Sequence, residues 1–100
     1  MDKKQLRAIG HHLKPVVIVA GEGLSENVLA ETNRALNDHE LIKVKIAEDD
    51  REVRQKTAKI LSEKTGSELI LSIGKIALIL RKNSKPNPKT SNLVRHLAEL

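Results

Sequence analysis

Residues 68–81 read Glu68-Leu69-Ile70-Leu71-Ser72-Ile73-Gly74-Lys75-Ile76-Ala77-Leu78-Ile79-Leu80-Arg81, two apolar runs flanking Gly74-Lys75. A two-residue Gly-X link between apolar runs is a hairpin signal, because glycine takes the positive φ that matches the twist of paired strands. Upstream, Asp49 or Asp50 can cap a helix whose inward stripe is Val53, Thr57, Ile60 and Leu61 and whose left-handed stop is Gly66. Before it, Leu41-Ile42-Lys43-Val44-Lys45-Ile46 alternates with period two, a half-buried strand with Lys43 and Lys45 on its open face.

Further back, Ser25 caps a helix with Val28, Leu29, Thr32, Ala35 and Leu36 inward, fading at Asn37-Asp38-His39. Val16-Val17-Ile18-Val19-Ala20 predicts a buried strand that runs into a loop at Gly21-Glu22-Gly23. Leu6, Ile9 and Leu13 share one side of a first helix, with Lys3, Arg7, His11 and Lys14 on the other until Pro15 ends it. The order α-β-α-β-α-β-β predicts an α/β fold: a mixed four-stranded sheet with parallel crossovers and an antiparallel edge, in two or three layers. Strand order stays open.

Downstream of Arg81, residues 82–89 have no core-forming pattern and read as a basic, extended stretch. Leu93, Val94, Leu97 and Leu100 allow one or two amphipathic turns after it. The expected organisation is therefore one domain over residues 1–82 and a basic C-terminal tail over 83–100 with room for a short helix.

The chain has 100 residues, enough for one modest core, and that core must be aliphatic because Phe, Tyr and Trp are absent. Cysteine is absent too, which excludes disulfides and thiolate metal sites and fits a cytoplasmic protein. The start, Met1-Asp2-Lys3-Lys4-Gln5-Leu6-Arg7, lacks the apolar run of a secretory signal or membrane anchor, so no membrane partner is expected. The net charge of +5 is segregated: residues 1–15 carry +3, residues 81–100 carry +4 and the middle carries −2. Segregated positive charge attracts polyanions by counterion release.

Chemistry is harder to find. His11 and His12 are adjacent and diverge on a helix, His39 and His96 stand apart, and Glu48-Asp49-Asp50 reads as a helix cap. No catalytic residue, metal ligand or cofactor is therefore expected. The loop Ala20-Gly21-Glu22-Gly23, between a strand and a helix start, can present N–H groups to a phosphate. It lacks the further glycines of a dinucleotide fingerprint and the Gly-Lys-Ser/Thr of a P-loop. Without aromatics to stack bases, recognition should lean on phosphate, 2′-hydroxyl and shape.

Several stretches in order, His12-Leu13-Lys14-Pro15-Val16-Val17, Gly21-Glu22-Gly23-Leu24-Ser25, Glu40 to Ile46, Ile73-Gly74-Lys75 and the strand ending in Arg81, give residues 3–82 a specific match. Over them the chain resembles the CRM domain, named for chloroplast RNA splicing and ribosome maturation, in its stand-alone bacterial form. The resemblance implies a fold similar to the C-terminal domain of translation initiation factor three. It also implies RNA as ligand, with precursor large-subunit ribosomal RNA and pre-ribosomal particles as partners. The family's loop has glycine at its first and fourth positions; here Ala20 takes the first, Gly23 keeps the fourth and Gly21 is an added glycine. Leu80 stands where the family often has Tyr before its Arg.

The expected function is binding of structured ribosomal RNA during large-subunit assembly, by a monomer. The expected contacts are Lys3, Lys4, Arg7, His11 and Lys14, the loop residues Gly21, Glu22 and Gly23, and Lys43, Lys45, Lys75 and Arg81. Two alternatives are a module that docks on ribosomal or assembly proteins, and a general binder of double-stranded nucleic acid.

Overall fold

The computed structural model describes the backbone of residues 1–98 and the side chains of residues 1–96. The elements in chain order are α1 (Lys3–His11), β1 (Pro15–Val19), α2 (Glu26–His39), β2 (Leu41–Ile46), α3 (Arg51–Thr65), β3 (Glu68–Ile73), β4 (Ile76–Leu80) and α4 (Asn92–Ala98). This is the expected α/β order with one more helix. The side chains of Leu97 and Leu100, assigned to that last amphipathic turn, lie outside the described residues.

The four strands form one mixed sheet in the order β1-β2-β4-β3. β1 is parallel to β2, and β4 is antiparallel to both β2 and β3. The connections β1-α2-β2 and β2-α3-β3 step the same way along the sheet, so right-handed crossovers put both helices on one face. There Leu36, Ala58 and Leu61 meet Val17, Val19, Ile42, Val44, Ile46, Ala77 and Ile79 in one core. On the other face Leu6 and Ile9 of α1 and Leu93 of α4 meet Leu41, Ile70, Leu78 and Leu80 in a second. The protein thus has three layers.

Local signals start and stop the helices. Asp2 and Gln5 form a reciprocal capping box on α1, Ser25 caps α2 and Asp50 caps α3 through the N–H groups of Glu52 and Val53. Gly66 ends α3 at φ 62°, as its position predicts. The first helix, however, closes at His11, with the N–H of Leu13 donating to Gly10 O at 3.0 Å. Lys14 therefore falls in the link to β1 and leaves the basic stripe.

Two burial patterns differ from expectation. In α3 the buried residues are Ala58, Leu61, Ser62 and Thr65, while Val53 and Ile60 are each 42% exposed. The helix can bury its hydroxyls because Ser62 donates to Lys59 O and Thr65 to Leu61 O, both at 2.8 Å. In β1, Val16 and Ile18 are 51% and 59% exposed. β1 is an edge strand whose outer face α1 does not reach, so only Val17 and Val19 are covered.

The segment after Arg81 crosses back to the end of α2. Glu40 is the anchor: it is 3% exposed, its Oε2 accepts from Asn83 N and its Oε1 accepts from Ser91 Oγ, both at 2.6 Å. Its N–H donates to Leu36 O and its carbonyl accepts from Arg81 N. Asn92 Nδ2 adds a bond to Leu41 O, and Thr90 Oγ1 one to Asp38 O. Arg81 clamps the same corner, its guanidinium donating to Asn33 O, Asn33 Oδ1, Asn37 Oδ1 and Thr65 O.

Two stability outcomes follow from this packing. A Cβ on Gly10 would stand 2.6 Å from Leu78 Cδ2 and 2.8 Å from Cδ1, in a site where Leu78 is 1% exposed. Gly10→Val is expected to lower stability by about 1–3 kcal/mol despite the helical position, seen as a reduced urea midpoint at constant slope. Ser91→Ala leaves Glu40 Oε1 unsatisfied and uncaps α4, whose Val94 N donates to Ser91 Oγ. Its expected cost is about 1–3 kcal/mol by the same titration.

Candidate nucleic-acid interface

The parallel strands β1 and β2 deliver their C-terminal ends to one edge of the molecule. The Gly21–Gly23 loop sits there beside residues 47–50, and Ala47 N donates to Val19 O at 2.8 Å. The β3–β4 turn joins them, because Ile46 N donates to Lys75 O at 2.7 Å. A cleft of about 290 Å³ between loop and α3 is lined by Gly21, Gly23, Glu48 and Thr57.

Gly21 has φ 21° and Gly23 φ 67°, and a Cβ on either would meet nothing within 4 Å. These glycines therefore serve backbone conformation and open approach rather than internal packing. The N–H of Gly23 donates to Ala20 O at 2.7 Å and closes the loop on itself. That bond gives the Gly23 N–H a partner within the loop, while the N–H of Gly21 has no such bond among the described residues. Glu22 is exposed at the loop tip.

The basic residues separate into groups. Lys3, Lys4, Arg7 and His11 are exposed on α1. Lys14 is exposed just beyond, and Lys43 donates to His11 O at 3.5 Å, which brings β2 and the end of α1 together. Lys45 lies further along the same sheet face, cross-strand from Ile18 on one side and Ile76 on the other, and Ile76 pairs with Ile73. Ile18 and Ile73 are 59% and 64% exposed, so Lys45 stands in an open aliphatic row across the sheet. Lys75 carries an exposed ion pair with Asp49 at 3.2 Å, a contact worth at most about 1 kcal/mol.

Arg81 is placed away from Lys43, Lys45 and Lys75, near the start of α1, where it borders one cavity with Lys3 and Lys82. It follows the opposite end of β4 from Lys75, and its guanidinium is used by Asn33, Asn37 and Thr65. The two expected contacts Lys75 and Arg81 therefore stand at opposite ends of β4. Sequence reasoning also missed the open isoleucine row, because a β-branched run reads as buried until the reach of the covering helix is known.

Among the described residues no group of three His, Cys, Asp or Glu could hold a metal ion, and no helix is long and apolar enough to cross a membrane.

Comparison with known proteins agrees with this architecture. A Pseudomonas aeruginosa protein named "Probable RNA-binding protein" is 58% identical over 94 residues, covering 94% of this chain and 90% of its own. A Haemophilus influenzae protein named "RNA-binding protein" is 43% identical over 84 residues, covering 84% and 85%. The solution structure of a hypothetical protein from Staphylococcus aureus superposes with a TM-score of 0.76 at 30% identity, covering 89% of this chain and 92% of that one. The model of the CRS1 / YhbY (CRM) domain matches residues 1–81, and the chain belongs to that family.

Proposed function

We propose that the protein binds structured RNA by its backbone, that the RNA is large-subunit ribosomal RNA, and that binding assists assembly of that subunit in the cytoplasm. The carrying observation is the sidedness of charge. The sheet face under α1 presents Lys3, Lys4, Arg7, Lys14, Lys43 and Lys45 against Asp2 and Glu68, while the helices of the other face mix both signs. Such a surface meets phosphates with little self-cancellation. The names of the relatives support RNA as the ligand, and the CRM resemblance supports the ribosomal target.

In this reading α1 and the lysines of β2 contact phosphates of an RNA helix, while the open loop at Gly21 admits a backbone close to the protein chain. The row Ile18, Ile76 and Ile73 gives an apolar floor beside Lys45 for a sugar or an unstacked base. No residue is assigned a catalytic role.

Titration of a large-subunit ribosomal RNA hairpin fragment across a salt series tests the reading, with duplex DNA of equal length as control. Tighter RNA binding that weakens steeply with salt is expected. Exchange of Lys3, Lys4, Arg7 and Lys14 together for glutamine should reduce the log-log salt slope by about 3–4. No RNA binding at low salt would overturn the proposal, and equal affinity for DNA would replace it with general duplex binding. Separately, Lys45→Gln should lower affinity with unchanged thermal stability, because Lys45 is exposed and its side chain makes no intramolecular bond among the described residues.

A further inference from the structure

The family match ends at residue 81, yet the chain continues across the open side of α1 and builds a second wall there. A cavity of about 360 Å³ lies between α1 and α4, and one of about 170 Å³ adjoins it between α4, the link from α1 to β1 and the start of β2; the two share Leu13, Asn92 and Arg95 and so form one groove. His12 and His96 line its first part and Lys14 and Lys43 its second, and among the described residues no acidic side chain lines either. Arg95 borders both parts. We propose that this groove is a nucleic-acid phosphate site that extends the RNA surface, with Arg95 of α4 binding the same backbone as Lys14 and Lys43.

The inference rests on the RNA reading above and adds a contact that lies outside the family domain. Three features support it. The groove holds three permanent cations, Lys14, Lys43 and Arg95, which favour an anion over any neutral ligand. Arg95 brings a planar fork that can hold two phosphate oxygens, which neither lysine can do. Its backbone is also held in place before any ligand arrives: Ser91 is fully buried against Glu40, Asn92 Nδ2 donates to Leu41 O at 2.6 Å, and Leu93 is 7% exposed. The Arg95 N–H donates to Ser91 O one turn earlier. A site built on a fixed wall loses less entropy on binding than one on a free tail.

The groove also continues the surface already described. Lys43 touches the end of α1 through His11 O, and Lys14 ends the link to β1, so an RNA strand lying along α1 passes from one set of cations to the other.

The test uses the full chain and the same ribosomal RNA hairpin fragment over about 50–200 mM salt. Arg95→Gln, at an exposed position, should unfold at the temperature of the unmodified protein, bind RNA about three-fold or more weakly and lose about one unit of salt slope. Arg95→Lys should restore the slope and only part of the affinity, because the charge returns without the fork. Equal affinity and slope for Arg95→Gln and the unmodified chain, with the latter binding RNA, would overturn this site alone. Failure of the unmodified chain to bind would overturn the RNA reading and this site with it. Amide shifts at residues 92–96 caused by inorganic phosphate but not by the RNA would assign the groove to a free anion and also overturn it.

Discussion

Glu40 is the residue on which the arrangement of this molecule turns. A buried carboxyl is costly unless its oxygens are satisfied, and both are, by Ser91 Oγ and Asn83 N. Its backbone does equal service, closing α2 on Leu36 O and receiving Arg81 N after β4. The residue holds φ 63°, a conformation that disfavours a side chain by about 1–3 kcal/mol unless its surroundings impose it. The surroundings do so here, since one residue must end a helix, start β2 and reach the segment after β4. The Arg81 clamp, set on the same corner, ties α2 to the last turn of α3.

The second constraint is how α1 lies on the sheet. Gly10 lets it press against Leu78 closely enough to seal Leu41, Leu78 and Leu80, and the helix ends at His11 before it reaches Ile18. One sheet face therefore has a covered half and an open half. The covered half supplies burial of Leu6, Ile9 and Leu93; the open half leaves Lys45 among isoleucines. Function is proposed for the boundary between the two, where the end of α1 at His11 meets Lys43 of β2.

The candidate site was legible in part. The stripe of Lys3, Arg7 and His11 and the alternation at Lys43 and Lys45 are periodic, and periodicity survives folding because side-chain direction is set by backbone repeat. The glycine loop was legible as punctuation between a strand and a cap. Arg81 was not: nothing in its neighbours in sequence says that its guanidinium meets Asn33, Asn37 and Thr65, which are 48, 44 and 16 positions away. Arg95 gave no signal either, because its relation to Lys14 and Lys43 depends on where α4 docks.

Sequence alone determined the element order, the cap at Ser25, a cap for α3 at Asp49 or Asp50, the stop at Gly66 and the hairpin at Gly74-Lys75, since each is decided by interactions within a few residues. It also determined that the core is aliphatic and that positive charge collects at the two ends. Tertiary structure alone decided the strand order β1-β2-β4-β3, the half-exposed edge at β1 and the buried face of α3, where hydroxyls bonded to their own helix join Leu61 in place of Val53 and Ile60. It also decided that residues 83–93 fold back onto Glu40. These depend on which surfaces meet, and pairing between distant surfaces is a property of the whole chain that no local pattern of residues encodes.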